Sequence, residues 1–334
     1  MKLNHFKKSL VGVISVIIIT LVIICIFNIP FSEILQFTPQ LLFLFIAMSI
    51  IRLLSQGIRF HILLKLFSNS GFTFSESVII RGSSEFFALT TLPFLADEAA
   101  RTFMLTERGV PFSTSFWITF IELLLDTLIG AILSLASGVY ALLSGERLLA
   151  STILTISSLQ IILSIIFIAL SKNKGISLFK RIRMPLSRKL QSTQYISFMF
   201  KDGGKEFFRI LGSIFSMKYL IHLAMLVMFS IVIIIVPAIV LHEILIDYRY
   251  NNFLNVLYAF RSGETLGVLP VTAGGAGLTE IGVYLYLLRV LGVDSLSSVI
   301  KWRIATYYIT LIITSFMLIY TSIKYFRKFL ARTR

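Results

Sequence analysis

The sequence predicts an all-α, polytopic integral membrane protein. Hydrophobic residues make up 57% of the 334 residues and charged residues only 14%, which leaves too little polar surface to cover a soluble globule of this size. Apolar runs of about twenty residues recur along the chain, and this is the length that a helix needs to cross a bilayer. Alternating segments typical of a membrane β-barrel are absent, so the spanning elements are predicted to be helices.

Six apolar runs have the length and composition of a transmembrane helix. They cover residues 10–29, 39–59, 112–138, 149–171, 218–241 and 296–320. Lys2, Lys7 and Lys8 precede the first run, and the long polar stretch 172–217 is rich in lysine and arginine. The positive-inside rule therefore predicts a multi-pass protein of the cell membrane with both termini and a basic 172–217 loop in the cytoplasm. The net charge of +15 is then mainly an orientation signal, and no nucleic-acid partner is expected.

Two moderately apolar regions, 76–108 and 253–292, do not fit this count as simple spans. A full crossing by either region would invert the agreement of all later loops with the positive-inside rule. We therefore expect both to be re-entrant helical hairpins, which enter the membrane and turn back on the same side. They would enter from opposite sides, so the pair is predicted to form an inverted repeat whose interface lies near the bilayer midplane.

The two hairpin regions also resemble each other in sequence. Each has a Leu-Pro pair at its turn, with Pro93 in the first and Pro270 in the second. A glutamate follows early in the second half-helix, Glu98 and Glu280 respectively, and a Gly-Val pair ends each region. This shared order supports the interpretation of the two regions as a repeat.

The stretch "LPVTAGGAGLTEIG" is the most unusual backbone of the chain. Pro270 removes a hydrogen-bond donor, and Gly274, Gly275 and Gly277 tolerate positive φ, so the helix is expected to break here. Glu280 lies at the start of the next half-helix, whose free N–H groups would suit an anion such as a lipid phosphate. The alternative is that the glycines only allow close helix packing and that Glu280 caps its own helix.

Charged side chains inside apolar segments cost about 3 kcal/mol each unless they are paired or solvated. They are therefore expected to face inward. Arg81 with Glu85, and Arg261 with Glu264, have helical spacing and are interpreted as salt bridges that stabilise packing.

Glu122 and Asp126 form a different pattern, since two carboxylates lie on one helix face without a basic residue in their own span. They need a cation, a proton or an arginine from another helix. We expect Arg59, Arg101 or Arg303 to supply that positive charge.

Metal and cofactor chemistry has little support in this sequence. Cys25 is the one cysteine, and the four histidines are scattered without the spacing of a metal site. No metal ion and no cofactor are therefore expected.

Several of these segments together resemble the lysylphosphatidylglycerol synthase transmembrane, or flippase-like, family over about residues 40–320. They are "GIRFHILLK", "LPFLADEAAR", "IELLLD", "LPVTAGGAGLTEIG" and "VIKWRIATYYI". The glycine-rich segment is the most specific of them. Asp97 stands where the family pattern leads us to expect glycine, and Leu123 where an arginine often follows the glutamate.

The resemblance implies a membrane lipid translocase that moves an anionic or headgroup-modified lipid between leaflets, and not an enzyme. Aminoacylated phosphatidylglycerol and polyprenyl-linked lipids are among the substrates it suggests. The residues carried over fall into three groups: a substrate-binding group of Arg59, Arg101, Gly274, Gly275, Gly277 and Arg303; counter-ions or gates Glu98, Glu122, Asp126 and Glu280; and the hairpin turns Pro93 and Pro270.

Two alternatives stay open at the level of sequence. One is an intramembrane lipid-modifying enzyme that uses Glu122 and Asp126 as acid and base, although the chain has no nucleophile motif and no nucleotide-binding loop. The other is a membrane scaffold that recruits a separate cytoplasmic lipid-modifying or glycosyl-transfer enzyme through the 172–217 loop. A homodimer is a further partner that the sequence allows.

Overall fold

A computed structural model describes most of the chain. The described residues are 3–27, 29–30, 32–33, 36–68, 71–91, 96–171, 203–214, 217–246, 252–269 and 271–332. Pro93, Pro270 and most of the predicted 172–217 loop lie outside the described residues. The expectations for these positions therefore stay predictions.

The described elements are helices, and no strand occurs among the described residues. In chain order they are α1 Leu3–Ile26, α2 Pro39–Phe67, α3 Phe74–Thr90, α4 Ala96–Thr106, α5 Phe112–Leu143, α6 Arg147–Ser171, α7 Gly203–Ile214, α8 Leu220–Leu245, α9 Phe253–Gly267, α10 Leu278–Val290, α11 Leu296–Arg303 and α12 Ile309–Arg332. A π-helical turn, Ile304–Tyr308, joins α11 to α12. The predicted all-α fold class is confirmed.

Five helical segments are long and apolar enough to cross a membrane within the described part of the chain. They are Pro39–Phe67, Phe112–Leu143, Arg147–Ile166, Leu220–Leu245 and Leu296–Ile323. The segment Val11–Ile26, which corresponds to the predicted span 10–29, is apolar but shorter. Large apolar side chains such as Phe43, Leu143 and Ile221 are at least 75% exposed. Such a surface suits contact with acyl chains, as expected of a multi-pass membrane protein.

The two predicted hairpin regions each fold into a pair of short helices. Helices α3 and α4 have 17 and 11 residues, and α9 and α10 have 15 and 13. All four are shorter than the roughly 20 residues that cross a bilayer. Each pair packs together, but entry from opposite sides of the membrane stays a prediction.

Glycines bring α9 and α10 into close contact. A Cβ atom at Gly282 would lie 2.7 Å from the Cα atom of Gly263, so neither position has room for a larger residue. The hydroxyl of Ser262 also donates to the carbonyl of Gly282 at 2.9 Å. Small residues thus allow close helix packing in this pair, as one of the two sequence interpretations proposed for its glycines.

The tips of the two helix pairs touch each other. The amide of Gly274, in the loop between α9 and α10, donates to the carbonyl of Thr91, just after α3, at 3.0 Å. The hydroxyl of Tyr307 donates to the carbonyl of Leu89 in the last turn of α3. The glycine-rich loop is therefore fixed against the end of the first helix pair.

Helix α7 is a short amphipathic helix within the predicted 172–217 loop. Glu206 in its first turn accepts a hydrogen bond from Thr114 of α5 at 2.9 Å, which attaches α7 to the helical bundle. Arg209 donates to Glu206 and holds the pKa of that carboxyl below its usual value. The Arg209 side chain is 55% exposed, so this is a solvated surface ion pair.

Candidate functional site

A cavity of about 310 Å³ lies where the two helix pairs meet the long helices. Its volume falls within the range of roughly 300–1,000 Å³ that is typical of small-molecule sites. Among the described residues, five arginines and six carboxylates contribute to its wall: Arg52, Arg81, Glu85, Asp97, Glu98, Arg101, Glu122, Asp126, Arg261, Glu264 and Arg303. Such a concentration of charge within an otherwise apolar protein marks a candidate functional site.

Arg101 of α4 connects the first helix pair to α5. Its guanidinium forms an ion pair with Glu122, donates to Asp97 at 3.0 Å, and lies 3.6 Å from Glu98. Only 2% of its side chain is exposed. Arg101 and Glu98 line the cavity, and Asp97, noted only as a departure from the family pattern, proves to be a direct partner of Arg101.

Arg59 lies behind the cavity wall. It donates to Glu122 at 3.0 Å, forms a two-pronged pair with Asp126, and donates to Ser230 of α8 at 2.7 Å. Its side chain is fully buried and does not contribute to the cavity lining. The donors of Arg59 face protein acceptors and hold Glu122 and Asp126 in place. The substrate-binding role expected for Arg59 stays a prediction.

The positive charge that Glu122 and Asp126 require thus comes from other helices, namely from Arg59 of α2 and Arg101 of α4. Arg81 adds a weaker contact to Glu122 at 3.9 Å. The Asp126 side chain remains 33% exposed and reaches the cavity, whereas that of Glu122 is 1% exposed. Only one of the two carboxylates is therefore accessible to a ligand.

A second ion-pair group joins α2 to α3. Glu85 accepts from Arg81 at 2.8 Å and from Arg52 at 3.1 Å, and Gln56 donates to it at 3.4 Å. The pair of Arg81 and Glu85 forms as the sequence spacing indicates. The corresponding pair on α9 does not: within the described residues, Arg261 has no carboxylate within 4.0 Å, and Glu264 is not paired to it. The side chain of Arg261 points to Ser134 of α5 instead.

The glycine-rich loop has the left-handed backbone that its sequence predicts, with φ of +57° at Gly274, +69° at Gly275 and +85° at Gly277. Its amides, however, are occupied. Gly277 N–H donates to the Glu280 carboxylate at 2.7 Å, Gly274 N–H to Thr91, and Gly275 N–H to Thr272 at 3.3 Å. The chain's own carboxylate and carbonyls thus accept from all three N–H groups, and their role in headgroup binding stays a prediction.

Glu280 combines the two roles that the sequence left open. One of its oxygens caps α10 through the Gly277 amide, and the other lies 2.8 Å from Nε of Arg303. Arg303 also donates to the carbonyl of Gly274 at 2.8 Å and stacks its guanidinium 4.3 Å from the centre of the Tyr307 ring. The loop, α10 and the last span are thereby joined on one side of the cavity.

The π-helical turn shapes this side of the cavity. Ile309 N–H donates to the carbonyl five residues earlier, at Ile304, instead of four. Thr306 and Tyr307 of this turn line the cavity beside Arg303. π-Helical turns are rare, occur mostly within α-helices and are frequent at functional sites. Nothing in the local sequence pattern distinguishes such a turn from an ordinary helix.

Sequence reasoning also missed Gln160 and the isolated state of Arg261. Gln160 of α6 lines the cavity, and its Oε1 atom is buried without a hydrogen-bond partner among the described residues. A signal was present, because Gln160 is an amide within the apolar segment "SSLQIILSII". Among the described residues, histidine, cysteine and carboxylate side chains form no group of three that could hold a metal ion.

A family model described as "Lysylphosphatidylglycerol synthase TM region" matches residues 12–314. The match includes every described residue that contributes to the cavity wall. No curated protein and no solved structure matched the chain.

Proposed function

The chain belongs to the lysylphosphatidylglycerol synthase transmembrane family, and from this premise we propose that it is a membrane lipid translocase. The lipid carries an anionic or modified headgroup and passes between leaflets through the charged cavity. The proposed location is the cell membrane, with both termini in the cytoplasm. The observation that carries the proposal is the cavity of about 310 Å³ at the contact of the two short-helix pairs, with arginines and carboxylates in its wall.

The chemistry of this wall supports transfer of a polar headgroup. A headgroup that enters hydrocarbon loses its hydration, so a pathway must replace water with fixed charges and hydrogen-bonding groups. Most charged side chains that line the cavity form ion pairs with other side chains. They bind a charged headgroup by exchanging these protein partners for groups of the ligand. Glu98 is suited to this exchange, because its Oε1 lies 3.6 Å from Arg101 while its Oε2 is buried without a partner among the described residues.

The ion pairs weigh against the enzyme alternative. A general base takes a proton from a bound substrate, so its carboxylate oxygens must face the substrate and not other side chains of the protein. Glu122 lies between Arg59 and Arg101, and Asp126 forms a two-pronged pair with Arg59. These carboxylates are better suited to organising the cavity than to acid and base catalysis.

Filling the cavity without changing its charges tests the proposal. Ala88 of α3 lines the cavity, so Ala88→Phe is expected to occupy the space that a headgroup requires. In proteoliposomes with a fluorescently labelled phosphatidylglycerol, we expect wild-type protein to expose inner-leaflet label to an external quencher and Ala88→Phe to slow this exposure at least about tenfold, as binding-site steric blocks typically do.

Ala99→Phe is the matched control, because Ala99 lies on α4 but is exposed. It is expected to transport at the wild-type rate. Both variants are compared by size-exclusion profile and apparent melting temperature, so that loss of fold is separated from loss of passage. Equal rates for Ala88→Phe and wild type, or lipid exposure no faster than in empty liposomes, would reject translocation through this cavity.

A further inference from the structure

Arg261 differs from the other arginines of the cavity wall in its surroundings. The other four, Arg52, Arg81, Arg101 and Arg303, each lie within 4.0 Å of a carboxylate. Among the described residues, Arg261 makes one side-chain hydrogen bond, to the hydroxyl of Ser134 at 3.2 Å, and its Nε is buried without a partner. Only 8% of Arg261 is exposed. A buried guanidinium without a carboxylate in direct contact is unfavourable and, in a membrane protein, indicates a binding function.

The position of this guanidinium is prepared by α5. Asp126, Gly130 and Ser134 are spaced by four residues and share one face of that helix. A Cβ atom at Gly130 would lie 2.6 Å from Nη2 of Arg261, so the guanidinium rests where only glycine leaves room. Thr265, one turn after Arg261 on α9, donates to Ser134 at 2.7 Å and fixes the hydroxyl that Arg261 contacts. The arginine is therefore held in place although no carboxylate of the described residues contacts it directly.

Gln160 adds a second polar group to the same cavity. It comes from α6, which packs beside α5, and its Oε1 is buried without a partner among the described residues. Oε1 is an acceptor, but rotation of the carboxamide about its terminal bond exchanges the positions of Oε1 and the NH2 group, which carries two N–H donors. A guanidinium fork together with an amide donor is the set of groups that recognises the oxygens of a phosphate.

We propose that Arg261, with Gln160 in the wall of the same cavity, is the docking point for a phosphate group. The inference rests on the proposed function in assigning that phosphate to a lipid headgroup, since an inorganic phosphate offers the same oxygens. A phosphodiester carries one negative charge and supplies the directly contacting anion that Arg261 lacks among the described residues. The paired arginines then form the remainder of the passage, and Arg261 selects for the phosphate.

Glu264 provides the competing explanation. It lies three residues after Arg261 on α9 and lines the same cavity. If the two residues were a structural pair, removal of either charge would have the same effect. On the proposal, Glu264 competes with the ligand for Arg261, so Glu264→Gln keeps or strengthens phosphate binding while Arg261→Gln weakens it.

Binding to the full-length protein in detergent tests this proposal by calorimetry with three probes: dihexanoyl phosphatidylglycerol, inorganic phosphate and dihexanoylglycerol, which lacks phosphate. For phosphate-bearing probes we expect Arg261→Gln to bind roughly ten- to a hundredfold more weakly than wild type, the effect of losing a charged hydrogen-bond donor. Wild type and Arg261→Gln should bind dihexanoylglycerol equally. A requirement for acyl chains assigns the site to a lipid, and equal binding of inorganic phosphate assigns it to the free ion.

The unliganded Arg261→Gln variant is expected to melt at or above the wild-type temperature, because it removes an unpaired buried charge.

Gly130→Ala gives a second approach that keeps the charge, since its methyl group displaces the guanidinium. Gly130→Ala is expected to weaken phosphate binding, and Gly212→Ala, a helical glycine with open space around its Cβ position, to leave it unchanged. Unchanged binding in Arg261→Gln, or equal weakening in Glu264→Gln, would overturn the phosphate site.

The binding and transport measurements separate this inference from the proposed function. If phosphate binding depends on Arg261 but the protein translocates no lipid, the proposed translocase function is rejected and the phosphate site stands. Translocation at the same rate in wild type and Arg261→Gln would keep the translocase and remove the site.

Discussion

Arg59→Met is expected to destabilise the folded protein by about 3–5 kcal/mol, the usual cost of removing one partner from a buried ion pair. The substitution retains the apolar volume of the side chain but leaves Asp126 without its arginine and Glu122 with less positive charge beside it. Ser230 of α8 also loses a donor. The measurement is the free energy of unfolding in mixed detergent micelles, followed by helical content.

The matched control for Arg59→Met is Arg209→Met on α7. Arg209 also pairs with a carboxylate, Glu206, but its side chain is 55% exposed, so the expected loss is below about 1 kcal/mol. Adding Asp126→Asn to Arg59→Met should recover part of the lost stability, because the second change removes the carboxylate that the first one leaves unpaired. Equal stability of Arg59→Met and Arg209→Met would show that the α2–α5 ion pairs do not stabilise the fold.

Gly274→Ala is expected to destabilise the protein by about 2–5 kcal/mol and to abolish lipid translocation. The left-handed φ of +57° at this position is unfavourable for alanine. The added Cβ atom would also lie 2.6 Å from the carbonyl oxygen of Leu89 and 2.9 Å from the Tyr307 ring. The glycine loop would have to move away from the end of α3, which separates the two helix pairs at the cavity.

Gly145→Ala separates the two causes of this effect. Gly145 also has a positive φ, of +90°, but a Cβ atom there meets nothing within 4 Å. Its expected cost is about 1–2 kcal/mol from backbone strain alone, with translocation at the wild-type rate. Unfolding in mixed micelles and the proteoliposome assay are applied to both variants. If Gly274→Ala and Gly145→Ala have similar stability and similar transport rates, the contact between the helix pairs is not important for either property.

The fold class and the family could be predicted from sequence because both depend on local or one-dimensional information. Composition and run length indicate membrane helices, and the glycine-rich segment starting at Leu269 is the most specific part of the resemblance to the family whose model matches residues 12–314. The break in helical structure before Leu278 also follows from residue type, since positive φ at Gly274 and Gly277 needs glycine. These features do not depend on which helices pack together.

The partners of individual charges could not be predicted in the same way. Arg81 and Glu85 are neighbours on one helix and form the pair that their spacing indicates. Arg261 and Glu264 have a similar spacing, yet space beside Gly130 and a hydroxyl on α5 draw Arg261 across to another helix. The choice is made by residues more than a hundred positions away along the chain, which spacing within one helix does not include.

The glycine loop shows a related limit. Free N–H groups at a helix start predict an anion, but the sequence does not say whether that anion is a ligand or a side chain of the same protein. Here Glu280 occupies the position, and Arg303 balances its charge. The helix start was predicted from sequence, whereas the group that its N–H donors bind depends on tertiary structure.

The π-helical turn at Ile304–Tyr308 determines the rotational phase of the whole last helix. One additional residue within a turn rotates everything that follows by about 100° relative to an uninterrupted α-helix. With that offset, Thr310 reaches Ser49 at 3.4 Å, and Thr321, three turns later, reaches Ser83 at 2.8 Å. Any event beside Arg303 that converts this turn to regular α-helix would rotate both threonines away from these partners, so a change at the cavity is transmitted about three turns along the helix as a rotation.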